Sequence, residues 1–439
     1  MTAYPAPDLP GASAHPPSVW NATAPAGVPL PPLAGDAQAD CVVIGGGFTG
    51  LNAAWQLARR GVQPCVLEAH DAGWGASGRN GGMAVLRYKH NWSTLARKLG
   101  HEQTLLLHRL VHQALDILAE NVQELGLDGG FSRCGHITAA YTSQDAQALR
   151  EDVAWLAEHA GDRVPRFLDA GQAAALIGSR MYRGGYLDER AAGIHPLRYT
   201  RELAAALVRR GIAIHAGTPA LRVHSDAGGC IVHTPHGQVR ARSVIVASSA
   251  YTDLFDLPDG LRQRIVPVTT SVIATEPLPD DLYASVLGQG HLVTDTRHLV
   301  NYFRRVPGQR VLFGGRGSMT GRERPAIYRN LGAGLHALFP QLCGVPLQHQ
   351  WSGKVAVTLD DFPHVCRYDP RIVFAFGFGG RGVALSHLLG RLAAELALGG
   401  QVQAGPMGRQ MPVLPLHGLR LPVLNLMAAY YKLRDRMRT

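Results

Sequence analysis

Apolar and polar positions change period several times along the chain of 439 residues, and each change marks an element. Asp40 leads into Cys41-Val42-Val43-Ile44, an unbroken apolar run of the kind found in strands buried on both faces, which stops at three glycines. From Thr49 to Arg60 the spacing becomes helical, with Leu51, Ala54, Trp55 and Ala58 on one face. Gly61 ends that helix, and Pro64-Cys65-Val66-Leu67-Glu68 reads as a second strand. Strand, helix and strand in this order predict a βαβ unit, which requires a parallel sheet and a right-handed crossover. An amphipathic stretch then runs from about Leu95 to Leu125, and a further helical pattern covers Ser143 to His159.

The alternation returns downstream. Pro196–Arg210 is helical with proline in its first turn, and Ile212–His215 and Ala241–Ala247 are strands. Between them, Cys230–Thr234 and Gln238–Ala241 flank Pro235-His236-Gly237, a hairpin signal. From Ile265 to Gly315 the segments are β-rich, such as Val268–Ala274 and Val311–Gly314, without intervening helices, which predicts an antiparallel region. A helix (Arg324–Leu338) and a strand around Trp351–Thr358 come next; strand Arg371–Phe376 and helix Val383–Leu398 then restore the parallel signature. The expected fold is α/β (α+β overall): a Rossmann-like dinucleotide-type domain with a parallel sheet built from separated segments, plus an antiparallel β-sheet domain inserted between them. Its expected boundaries are 38–110, 190–255 and 345–400 for the first domain and 111–189 and 256–344 for the second. Residues 1–37, with nine prolines and no hydrophobic period, read as an extended arm, packed on the surface or partly disordered; 401–439 form a tail with a helix.

Composition narrows the function. Glycine, at 51 residues, exceeds the usual ~7% share without a triplet period, which points to backbone brought close to a cofactor or a tight crossing. No stretch approaches the ~20 apolar residues of a membrane span, and the first ten residues lack the basic start and apolar run of a secretory signal. The six cysteines are scattered, with no CxxC pair, so no zinc site or disulfide framework is expected and a reducing cytoplasm fits. The net charge of +10 comes from singly spaced residues, nearly all arginines, rather than from one basic patch. That argues against nucleic-acid binding and for a solvated surface that helps to attract anionic ligands.

The chemistry lies in three glycine clusters. Gly45-Gly46-Gly47-Phe48-Thr49-Gly50 contains GxGxxG: one glycine for the tight turn, one for close approach of backbone N–H groups to a pyrophosphate, one for helix–strand packing. Phosphate charge then meets the positive end of the following helix. Glu68, at the end of the second strand, suits hydrogen bonds to ribose hydroxyls. This unit by itself leaves FAD and NAD open. Gly75-Ala76-Ser77-Gly78-Arg79-Asn80-Gly81-Gly82 discriminates: a donor-rich loop directly after the acidic strand end suits the pyrophosphate and flavin end of an extended FAD, although a glycine-rich surface turn is the bland alternative. Gly377-Phe378-Gly379-Gly380-Arg381-Gly382 again joins a strand to a helix, a geometry able to stabilise negative charge on a reduced flavin.

With these residues in view, the chain resembles the D-amino-acid-oxidase-type FAD oxidoreductases, and within them the bacterial γ-glutamylputrescine oxidases. The resemblance rests on D-C-V-V-I-G-G-G-F-T-G-L, G-W-G-A-S-G-R-N-G-G, Y-L-D-E-R-A-A-G-I-H-P-L-R-Y and F-G-F-G-G-R-G-V-A-L-S, and on S-V-W-N-A-T-A and L-M-A-A-Y-Y-K-L-R-D near the ends. It implies FAD contacts at Gly45, Gly46, Gly47, Phe48, Thr49, Gly50, Glu68, Ser77, Gly78, Arg79, Asn80, Gly81, Gly377, Gly380 and Gly382, with the backbone of Val223 bordering the adenine. It further implies a small-molecule amine substrate, oxygen or another electron acceptor, and hydride transfer to the flavin followed by hydrolysis of the imine to an aldehyde. The alternatives are a D-amino-acid or glycine oxidase or dehydrogenase of the same fold, and an NAD(P)-dependent dehydrogenase.

Departures from relatives sharpen the expectation. Val355 stands where glycine oxidases carry the arginine that clamps a substrate carboxylate, so the bidentate fork is missing there, and Arg304 or Lys354 could substitute. Ala356 stands where sarcosine oxidases carry their flavin-linking cysteine, which implies non-covalent FAD, with His90 as a residue that can also form such links. The oxygen-activating lysine of sarcosine oxidases falls near Leu312. No catalytic base is assigned; His195, Tyr302 and Arg304 are pocket candidates that also suit structural roles. The stretch Leu421–Arg438 mixes Leu424, Met427, Tyr431 and Leu433 with Lys432, Arg434, Arg436 and Arg438; it reads as an interfacial helix or as one docked on the body with a basic outer edge.

Overall fold

A computed structural model describes residues 14–254, 261–318, 323–415 and 417–437. Its parallel sheet has six strands in the order Ala213–His215, Pro64–Leu67, Cys41–Ile44, Ser243–Val246, Ile372–Phe376 and His364–Arg367, all parallel except the last. Period-two alternation divides the side chains between two cores. Cys41, Val43, Val66, Ile245 and Val373 pack under helices Phe48–Ala58, Pro196–Arg209 and Gly382–Ala397, with helix His101–Leu125 joining the same core through Leu107, Val111 and Leu118. Val42, Ile44, Leu67, Val244 and Phe374 face the other way, onto Val223, Val232 and Val239 of a smaller sheet that contains the predicted hairpin Gly229–Thr234/Gly237–Ala241. Burial on both faces is the reason these strands read as continuous apolar runs.

A second sheet has eight strands, in the order Leu347–Val357, Val266–Thr275, Arg310–Arg316, Tyr302–Val306, Leu292–Asp295, His136–Ala139, Gly185–Asp188 and Arg166–Leu168. All its pairings are antiparallel except that of Leu292–Asp295 with His136–Ala139. Helix Pro325–Leu338 covers one face through Tyr328, Leu331 and Leu335. The other face meets Leu197 from the start of helix Pro196–Arg209.

Several elements differ from the sequence expectation. The Leu95–Leu125 stretch is two helices, Trp92–Leu99 and His101–Leu125, because Gly100 between them adopts φ +85°. Amphipathic spacing alone does not register such a corner. The Ser143–His159 pattern is a helix to Trp155 followed by a wider turn, Leu156–Ala160, closed by Gly161 at φ +64°. A short helix, Asp280–Ser285, interrupts the β-rich region. In the arm, Ser18 caps a helix Val19–Thr23 whose Val19 and Trp20 are fully buried; residues 1–13 lie outside the described residues. The tail helix spans Arg420–Met437. It touches the body through Asp435, which accepts from the His298 and Leu299 backbone, and through Tyr431, stacked on His298 at 5.1 Å. Met427 and Leu433 face solvent instead of the body, while the side chains of Leu424, Lys432 and Arg436, and Arg438 altogether, lie outside the described residues. Among the described residues no helix is long and apolar enough to cross a membrane.

Candidate active site

The first glycine turn leaves the end of Cys41–Ile44 with Gly45 at φ +114°, where a β-carbon would lie 2.9 Å from the Ala247 carbonyl oxygen at the end of the neighbouring strand. Gly50 is the packing glycine: its β-carbon would stand 1.9 Å from the Gly45 oxygen. Gly47 is the N-cap of helix Phe48–Ala58 and supplies no side-chain cap. Its β-carbon would approach Ser77 Oγ to 2.8 Å, and that same Oγ accepts from Phe48 N at 2.9 Å. The first two glycine clusters are thereby in direct contact. Gly46 N donates to Glu68 Oε2 at 2.6 Å and His70 N donates to Oε1 at 2.9 Å, which leaves a lone pair on each oxygen for a further donor. Burial raises the Glu68 pKa despite those two donors. Thr218 N donates to the Glu68 carbonyl, so the chain leading to Val223 runs beside this strand end.

In the second cluster, Gly78 packs against the Gly73 carbonyl, and Asn80 closes its own loop by accepting from Gly82 N and donating to the Ala76 and Ser77 oxygens. Arg79 lies 4.3 Å from the Trp74 ring and donates to the Trp74 and Ser352 carbonyls; Trp74 in turn stacks on His70 at 3.8 Å. The Nε1 of Trp74 and Nε2 of His70 are buried without a partner. Two indoles clamp the loop from outside: Trp351 donates to the Arg79 oxygen at 2.8 Å, and Trp20 of the arm to the Asn80 oxygen at 2.9 Å.

The third cluster sits at the end of Ile372–Phe376, on the same carboxyl edge of the parallel sheet as the first, where ligands of open α/β sheets bind. Gly377, at φ +93°, lies against Thr358, and Gly379 and Gly380 also adopt positive φ with open space where β-carbons would be. Helix Gly382–Ala397 begins there and crosses helix Phe48–Ala58 closely at Gly390.

The pocket candidates separate. His195 is the N-cap of helix Pro196–Arg209: Nδ1 accepts from Arg198 N, Nε2 meets Thr23 Oγ1 at 3.0 Å, and burial lowers its pKa to about 4. Arg304 spends Nη1 on the Gly82, Ile194 and Gly81 carbonyls at 2.7, 3.0 and 3.4 Å, so it braces the second cluster to strand Tyr302–Val306. The Tyr302 ring fits between Gly81 and Gly314, close enough that a methyl group on either would collide with it; burial raises its pKa to about 12. Lys354 stands 5.7 Å from the Tyr251 ring, and Leu312 is fully buried.

Sequence reasoning missed the residues beside the third cluster. A cavity of about 80 Å³ is lined by Tyr88, Val357, Thr358, Phe378, Arg381 and Leu385, with the Lys89–Asp361 ion pair (2.6 Å) at its wall and His90 3.4 Å from the same carboxylate. Burial lowers the Arg381 guanidinium to about 10, with the nearby Arg87 charge adding to the shift, and Arg381 has no side-chain hydrogen bond or carboxylate partner among the described residues. Arg87 differs: it is bonded to the buried Asp152 at 2.6 Å, although its Nη1 has no partner. An unpaired cation at a helix N-terminus opposes the helix dipole, and this is the signal in the sequence that an anion belongs beside it.

The residues fit a dinucleotide flavin. Glycines form the first turn where β-carbons would collide with Ala247, Glu68, Ser77 or the turn's own backbone, the helix start has no cap of its own, and a carboxylate waits at the second strand end. The comparisons agree. The family model for FAD dependent oxidoreductases, DAO, matches residues 40–396. The chain is 33% identical over 426 residues to the γ-glutamylputrescine oxidoreductase of Escherichia coli, covering 96% of this chain and 99% of that protein. It is also 33% identical to a probable oxidoreductase, OrdL, of Haemophilus influenzae, covering 84% and 85% of the two chains. The solved structure of glycine oxidase from Geobacillus kaustophilus shares the fold, with a TM-score of 0.74 at 21% identity, covering 86% of this chain and 100% of that one.

Proposed function

The chain belongs to the DAO family of FAD dependent oxidoreductases, enzymes acting on C–N bonds of amines and amino acids, and from that premise we propose that it oxidises an amine that also carries a carboxylate, of the γ-glutamylputrescine kind. The observation that carries this reading is Arg381: a half-buried guanidinium without a carboxylate partner among the described residues, lining the cavity beside the third glycine cluster. A half-buried charge that has lost part of its hydration favours an anionic partner, and a carboxylate from the substrate supplies it.

Bound FAD would supply the hydride acceptor for the carbon beside the amine nitrogen. The chain's own part is to hold and to orient. Gly45, Gly46, Gly47, Phe48, Thr49 and Gly50 would bring the tight turn and the positive start of the following helix up to the pyrophosphate, and Glu68 would accept from ribose hydroxyls. Ser77, Gly78, Arg79, Asn80 and Gly81 would line its path, Gly377, Gly380 and Gly382 would border the flavin, and the Val223 backbone would border the adenine. No cysteine lines the cavity, and Ala356 is buried within its strand, which supports non-covalent attachment. Arg381 fixes the substrate by its carboxylate, while Tyr88, Phe378 and Leu385 keep water from the reacting carbon. The imine leaves and is hydrolysed in water to an aldehyde. Oxygen or another acceptor would take up the two electrons. All six cysteines are free, which supports a reducing, cytoplasmic setting.

The test is an anaerobic panel with the purified protein: γ-glutamylputrescine, putrescine, glycine and D-alanine are each mixed with it while the yellow absorbance is followed. Bleaching by γ-glutamylputrescine at far lower concentration than by putrescine supports the reading. Strong bleaching by glycine or D-alanine instead assigns the site to small amino acids, and a colourless protein that cannot take up FAD overturns it. Admission of oxygen with peroxide detection then identifies the acceptor.

A further inference from the structure

Helix His101–Leu125 carries two histidines one turn apart, His108 and His112, on the face turned towards the end of the wide turn Leu156–Ala160. Gly161, left-handed at φ +64°, swings Asp162 onto that face. Asp162 Oδ2 lies 3.0 Å from His108 Nε2 and 3.8 Å from His112 Nε2, and the three donor atoms lie within 4.8 Å of one another. Ligands about 2.0–2.1 Å from a tetrahedral ion stand about 3.3 Å apart, between the two observed distances. We propose that His108, His112 and Asp162 form a binding site for one divalent transition-metal ion of the zinc, nickel and copper class.

The surroundings are those of a metal site. Arg190 donates to Asp162 Oδ2 at 2.7 Å and, through Nε and Nη2, to both oxygens of Asp188. Two carboxylates therefore share one guanidinium, and the cluster holds one net negative charge when its imidazoles are neutral. Arg190 orients the Asp162 carboxylate as an outer-shell partner does, and Asp188 supplies the charge that Arg190 would otherwise take from the site. Two imidazoles and one carboxylate are the donor set that suits zinc, nickel or copper rather than calcium or magnesium. Both histidine side chains keep some exposure, 13% and 23%, so an ion has a way in and water can fill a fourth position. The site is distinct from the flavin cradle: Trp92 and Tyr88 lie between His108 and the cavity. It contains no cysteine, which is why the cysteine spacing gave no sign of it.

The test uses the FAD-loaded protein, stripped with chelator and titrated with zinc chloride by calorimetry. One zinc per chain and a melting temperature raised by several degrees are expected. His108→Ala and His112→Ala should each weaken zinc binding ~100-fold or more, whereas His101→Ala, on the same helix, should bind as the parent does. Asp162→Asn also disturbs Arg190, so the flavin content and melting temperature of every variant are measured in chelator, where folded variants match the parent. Zinc bound well below one per chain, an unmoved melting temperature, or a folded His108→Ala that binds as tightly as the parent each overturns the site.

Discussion

At the scale of single residues, the glycines of the first turn are separable by what a methyl group would meet. At Gly50 it would overlap the Gly45 carbonyl, which is backbone and cannot yield, so Gly50→Ala should yield little folded protein. At Gly47 it would press on Ser77 Oγ, a side chain that can rotate, so Gly47→Ala should fold and yet hold FAD about 1–3 kcal/mol more weakly, read as flavin absorbance per chain after dialysis. A Gly47→Ala protein that retains its full yellow colour would remove this turn from the cradle. Arg381→Met keeps the length and apolar stem but deletes the charge. KM for a carboxylate-bearing amine should rise ~10–100-fold, and KM for putrescine should stay within about threefold. Equal losses for both substrates would show Arg381 holding structure rather than substrate.

Among the elements, those fixed by local chemistry were legible, and those fixed by distant partners were not. The unbroken apolar strands and the first glycine turn could be read because their cause lies within a few residues. The corner at Gly100 escaped because helical spacing continues across it on both sides. Tyr302 and Arg304 were seen to share a strand face, but the carbonyls that occupy Arg304 come from Gly81, Gly82 and Ile194, far away in the chain. Arg381 was legible as part of a loop and not as a half-buried charge without a carboxylate partner, because its surroundings are set by helices and strands that converge on it. The arm shows the same limit. Its proline-rich sequence says nothing of Trp20 being buried against Leu197, Leu312 and Trp351 and donating to Asn80. Trp20→Ala should cost about 3–5 kcal/mol locally and loosen the Ser77–Gly82 loop, lowering both melting temperature and FAD retention. A variant that keeps both would show the arm to be dispensable.

For the molecule as a whole, buried neutral histidines set the response to acid. Burial holds His195, His112 and His387 near 4, and His387 is wedged between the Val383 carbonyl and the Tyr199 hydroxyl at 2.8 Å from each. Unfolded histidine titrates near 6.5, so between about pH 6.5 and 4 the unfolded chain takes up protons that the folded chain refuses. This stability is complete above about pH 6.5 and drains away as pH falls, by up to about 3 kcal/mol for the fully buried His387. Melting temperatures between pH 8 and 4.5 should fall steeply in the lower half, and less steeply in His387→Gln; a level profile would contradict the assignment. A final consequence concerns synthesis. The central strand Ser243–Val246 waits for Ile372–Phe376, which leaves the ribosome more than a hundred residues later. The nascent chain therefore carries this open sheet edge through more than a quarter of its own translation, and the cofactor can be locked in only once the third glycine cluster, late in the polypeptide, has emerged.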